Sequence, residues 1–86
     1  MKKKGGVLMF RRIRDLREDA DLKQRQMAEI LHCSQQLYSN YELGQRDIPT
    51  DILIALAKFY KTSTDYILGL TDDPTPPEPS KWLKKE

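Results

Sequence analysis

Cysteine is nearly absent from this 86-residue chain: Cys33 is the single one, so no internal disulfide can form. Histidine is equally scarce, with His32 alone beside it, and these two neighbours do not make a set of metal ligands. Long apolar runs are missing too. Nothing approaches the roughly 18 apolar residues needed to span a bilayer, and Val7 to Phe10 is too short for a secretory signal before it meets Arg11 and Arg12. A cytoplasmic protein without membrane, redox or zinc chemistry is therefore expected. No nucleophile–base grouping and no phosphate-binding glycine loop is visible, which argues against an enzyme, and no cofactor is expected.

What is present is charge, at 33% of residues, against 38% apolar residues, a balance that suits one small soluble helical domain. The net charge of +2 hides an asymmetry: residues 1–46 hold ten Lys or Arg and six Asp or Glu (+4), residues 47–86 five and seven (−2). A nucleic-acid-binding surface in the first half would have this footprint, as would a plain solvated basic face.

Phe10, Ile13 and Leu16 recur every third residue among arginines, predicting a first amphipathic helix that ends near Ala20. Residues 1–6 precede the domain as a basic arm. Met27, Ala28 and Leu31 mark the buried side of a short second helix from Gln24 to Leu31. A turn at His32 and Cys33 leads to Ser34, whose hydroxyl suits the cap of a third helix ending at Leu43 and Gly44. Pro49 fits the first turn of a fourth helix with Ile52, Leu53, Leu56, Ala57 and Tyr60 buried. Ser63 or Thr64 caps a one-turn fifth helix that Gly69 stops. Four prolines in the six residues from Pro74 to Pro79 preclude a helix there. The reading is an all-α, compact five-helix bundle over residues 7–70 with a Pro-rich, flexible tail over residues 71–86.

On a helical wheel, Gln35, Ser39, Gln36 and Asn40 fall within an arc of about 140°, opposite Leu37, Tyr38 and Tyr41. Amides and a hydroxyl replace the Lys and Glu that ordinarily solubilise a surface helix. Such groups fit base edges, since an amide pairs a donor with an acceptor as adenine does, but they also suit a merely solvated face. Glu42 lies at the edge of the apolar side, where an unpaired carboxylate is costly, so it needs a cation.

The run from Leu22 to Leu31, the three-residue turn, Ser34 to Gly44, and the later Leu56–Ala57 and Asp65 to Gly69 resemble the phage repressor and Cro-type helix-turn-helix family over about residues 10 to 70. The resemblance implies a lambda-repressor-like DNA-binding fold whose third helix enters the major groove. It implies Gln35, Gln36, Ser39 and Asn40 as base readers and Gln24 as a phosphate ligand, to which Lys23 and Arg46 add cations. It suggests Arg17 as the partner of Glu42; the competing reading gives Arg17 to phosphate. Lys23 stands where the family commonly has a capping Thr or Ser, and Leu37 where it commonly has Ser or Thr.

The function expected is a sequence-specific transcriptional regulator, a repressor, bound to double-stranded DNA as a homodimer on a pseudopalindromic site. The alternative is an antitoxin or protein-interaction adaptor in which residues 71–86, with Trp82 between Lys81 and Leu83, dock a protein partner.

Overall fold

The computed structural model describes residues 11–78. Phe10, the basic arm and Trp82 lie outside that range. Within it five helices follow in chain order: α1 (Arg11–Asp19), α2 (Gln24–Leu31), α3 (Gln35–Leu43), α4 (Thr50–Tyr60) and α5 (Thr64–Leu68).

The core is built from one or two faces of each helix. Ile13, Met27, Tyr38, Leu56 and Ile67, one large side chain from each element, are the most deeply enclosed, and Ala28, Leu31, Tyr41 and Ala57 complete the buried cluster. Around it Ile52, Leu53 and Tyr60 of α4 are only half-buried, as are Tyr66 and Leu68 of α5. The Tyr60 hydroxyl reaches Met27 Sδ at 3.4 Å, and burial pushes its phenol up to about 12. α2 packs mainly on α3, while α1 lies against both α3 and α5. α1 therefore holds the helix pair to the rest of the bundle.

Caps explain where the helices begin and end. Ser34 Oγ accepts from Leu37 N at 3.0 Å and Ser63 Oγ from Tyr66 N at 2.9 Å, each satisfying one of the orphan amides of a first turn. α2 has only half of such an arrangement. Gln26 Oε1 accepts from Lys23 N at 2.8 Å, but a lysine side chain has no acceptor with which to return the bond. Gly44 ends α3 at φ 75° and Gly69 ends α5 at φ 80°, a region glycine enters without a Cβ clash. His32 and Lys61 do the same work after α2 and α4 at φ 59° and 57°. In the first of these, Cys33 N reaches back to Ala28 O at 2.9 Å and closes the turn between α2 and α3.

Pro49 sits one residue outside α4 instead of in its first turn. Its ψ of 152° is extended, yet its carbonyl already accepts from Leu53 N at 2.9 Å, which is the geometry of a cap residue.

Hydrogen bonds tie the residues after Leu70 to the helices. Arg12 Nη1 donates to Tyr66 O and Thr71 O, its Nη2 lies 2.6 Å from Asp72 Oδ1, and its guanidinium stacks 4.1 Å above the Tyr66 ring. Thr62, itself buried, donates from Oγ1 to Pro74 O at 2.7 Å. The first residues after α5 thus form a strap pinned to α1 at one point and to the end of α4 at another. The backbone needs this help because its prolines have no amide of their own to donate.

Candidate nucleic-acid interface

α2 packs on α3, and Ala28 of α2, 3% exposed, belongs to the buried cluster between the helices. On the inner side of α3, Tyr38 and Tyr41 are buried and Leu37 packs partly against the core, as does Cys33 of the turn before the helix. The outer side carries Gln35 and Gln36, both exposed, and Ser39 and Asn40, both half-buried. Gln36 Nε2 donates to Asn40 Oδ1 at 3.1 Å, one helical turn apart. That bond uses one donor and one acceptor. It leaves the Gln36 carbonyl and the Asn40 amide hydrogens unspent, so the pair as a unit still offers an acceptor beside a donor.

Glu42 closes the inner side. Its residue is 2% exposed, and Arg17 reaches it with Nε to Oε2 at 2.6 Å and Nη2 to Oε1 at 3.3 Å, a bidentate approach across 25 residues of sequence. Gln24 Nε2 adds a third bond, to Oε1 at 3.0 Å, and Arg17 Nη1 donates in addition to Leu22 O at 2.8 Å. The Arg17–Glu42 pair therefore gathers α1, α2, the connection between them, and α3. Burial alone would raise the Glu42 carboxyl, but the hydrogen bonds from Arg17 and Gln24, with the Tyr38 hydroxyl close by, outweigh burial and hold it below the usual carboxylate range. The hydrogen bond to Glu42 raises Arg17 in turn, against the opposing effect of its own burial. Burial, and then the proximity of Glu42, drives the Tyr38 phenol far above its ordinary value, so it stays neutral; its hydroxyl has no well-formed hydrogen bond of its own.

The engagement of Gln24 is what the sequence reading missed. Its amide is committed through one hydrogen to Glu42, which leaves the second Nε2 hydrogen for an outside acceptor. Only the wheel position of Glu42, which marks a buried carboxylate in need of donors, could have signalled it. Lys23 at the entry of α2 and Arg46 just beyond α3 are exposed. Neither makes an ion pair among the described residues. Arg12, by contrast, is spent on the strap and offers no free cation to a partner of this face.

Cys33 is half-buried, and burial raises its thiol, so a reactive thiolate is disfavoured. Among the described residues no cluster of three or more His, Cys, Asp or Glu could hold a metal, and no helix is long and apolar enough to cross a membrane.

The helix-turn-helix family profile matches residues 13–67, more than half of the chain and all of α2 and α3. Two proteins of Bacillus subtilis (strain 168) are similar to it. The uncharacterized HTH-type transcriptional regulator YobD is 43% identical over 74 residues, covering 86% of this chain and 66% of its own length. The HTH-type transcriptional regulator ImmR is 41% identical over 59 residues, covering 69% of this chain and 46% of its own. The chain thus spans less than two thirds of either relative's length. Solved structures include no significant match.

Proposed function

The chain belongs to the helix-turn-helix family of the phage repressor and Cro type, and on that premise we propose that it is a sequence-specific DNA-binding transcriptional regulator that represses by placing α3 in the major groove. Members of this family are regulators and not enzymes. The observation that carries the reading is the division of α3 into two sides. One side is anchored by Tyr38, Tyr41 and Glu42, and the other carries the uncharged Gln36–Asn40 pair with Gln35 and Ser39.

Gln35, Gln36, Ser39 and Asn40 are the base readers. The acceptor and donors left by the Gln36–Asn40 bond match the N6 and N7 edge of adenine, and such a contact discriminates by about 1–3 kcal/mol. Lys23, Arg46 and the remaining amide hydrogen of Gln24 hold phosphates, together with the first amides of α2, which the Lys23 side chain cannot cap. These contacts fix position without reading sequence. Arg17 and Glu42 touch no DNA and act by holding α3 at its angle to α1 and α2. The absence of a cofactor requirement follows from this mechanism, which needs none.

One copy offers few base contacts, so specific affinity calls for two copies on half-sites about 34–36 Å apart on one face of the duplex, a pseudopalindrome. The test is binding to a preferred duplex and to a scrambled one across a salt series. Replacing Gln36 and Asn40 with Ala should bring the two affinities together while leaving the salt slope, which counts phosphate contacts, in place. An unchanged preference would remove α3's outer side from the reading role.

A further inference from the structure

Between α4 and the strap lies a groove of about 640 Å3. Ile54, 42% exposed, and Ala57 line it from the helix; Pro76 and Pro77 line it from the strap. Proline has no backbone N–H, so these two residues offer ring carbons and carbonyls and no donor. Lys58 and Lys61 also line the groove; both are exposed, and no carboxylate among the described residues pairs with either. Glu78 lines it as well, which leaves an excess of one positive charge from two lysines against one glutamate. An occupant needs an apolar anchor beside a carboxylate.

The same strap carries such a group at its start. Leu70 is the most exposed large apolar side chain among the described residues, at 72%, and its backbone is fixed by a 2.8 Å bond from its N–H to Asp65 O after the Gly69 turn. Asp72 follows with 97% of its side chain exposed, held in place by Arg12. Asp73 is exposed and oriented by accepting from Thr75 N at 3.0 Å. Anchor and carboxylates are thus already ordered, which lowers the cost of binding.

We propose that the groove between α4 and the strap is the self-association surface of this protein, each copy inserting Leu70 beneath Asp72 and Asp73 against Ile54, Lys58 and Lys61 of the other. A twofold arrangement makes the contact reciprocal, since each copy carries both the projecting group and the groove. The protein's own residues 79–86 suit the groove less well, because Lys81, Lys84 and Lys85 outnumber Glu86 there and repeat the sign of its lysines. The inference rests on the dimer of the proposed function. Its readout needs no DNA, so its failure and a failure of base reading are separable.

The experiment is sedimentation velocity on the full chain from micromolar to millimolar concentration, with circular dichroism on each variant. The wild type should dimerise. The Lys58→Glu/Lys61→Glu chain and the Asp73→Lys chain, which keeps the Arg12–Asp72 pair, should each self-associate about tenfold or more weakly, from like charges brought together. Mixed, these two variants should form a heterodimer tighter than either variant's own dimer, because the substituted positions then meet opposite charges; this recovery also rules out misfolding. Leu70→Ser should weaken association without changing the charge. A wild type that stays monomeric, a dimer indifferent to the charge changes, or a mixture that does not recover would each overturn the proposal. So would a dimer lost in Trp82→Ala/Leu83→Ala and kept in the charge variants, which would place the tail in the groove.

Discussion

Replacing Glu42 with Gln keeps the shape of the side chain and removes only its charge, which isolates what the carboxylate does for the fold. The residue is 2% exposed and receives two bonds from Arg17 and one from Gln24, and the Arg17 side chain is itself 12% exposed. Removing one partner of such a pair costs about 3–5 kcal/mol, because the other is left buried and uncompensated. The new carbonyl still accepts one bond, whereas the new amide hydrogens face the Arg17 and Gln24 donors, so a loss of about 3 kcal/mol is expected. A domain of this size has roughly 4–13 kcal/mol in all, and the loss corresponds to about 12–24 °C in Tm. Urea unfolding followed by circular dichroism should show a lower midpoint at an unchanged slope. The pH dependence supplies a second signature. A carboxyl held below its unfolded value stabilises the fold fully above about pH 4.3 and loses that contribution as pH falls through the folded value. The gap between wild type and variant should therefore be widest near neutrality and narrow as the solution is acidified below that point. A variant within about 0.5 kcal/mol of wild type at pH 7 would refute the argument, since that is the range of an ordinary surface change.

Other substitutions test separate parts of the structure. Ser34→Ala removes the acceptor of Leu37 N and should cost about 1 kcal/mol by the same unfolding measurement. Met27→Ala empties a fully enclosed site at the centre of the core and should cost about 2–5 kcal/mol, unfolding a sizeable fraction of the protein at physiological temperature. Arg12→Ala frees Thr71 and Asp72 and should speed hydrogen exchange from Tyr66 to Thr75, while α2 and α3 keep their protection.

The helices were legible where local chemistry decides them. Ser34, Gly44, Ser63 and Gly69 mark ends because a hydroxyl acceptor or a missing Cβ is needed at that position whatever the rest of the chain does. Lys61 is harder, since a lysine at φ 57° takes its conformation from the helix it ends and the strap that follows, and nothing in its residue type announces it. Pro49 was misplaced by one position because its fixed φ fits both a cap and a first turn, and only ψ separates them. At the candidate site, α3's wheel alone separates Gln35, Gln36, Ser39 and Asn40 from the tyrosines, and it marks Glu42 as a carboxylate needing donors. Arg17 came as its partner only through the family resemblance, and Gln24 not at all, because a bond between α2 and α3 has no sequence period. Arg12 shows the same limit. It looks like one of several solvated arginines on α1, but its partners lie 54 to 60 residues away on a strap whose path composition cannot give.

The proposed role of α3 is tested most directly by selecting bound duplexes from a random library with the full-length wild-type chain and, in parallel, with Gln36→Ala/Asn40→Ala. The wild type should enrich two inverted half-sites centred about 10 base pairs apart, and the variant should lose the preference at the positions those side chains face. No enriched sequence with the wild type, or the same sequence with both proteins, would contradict the account.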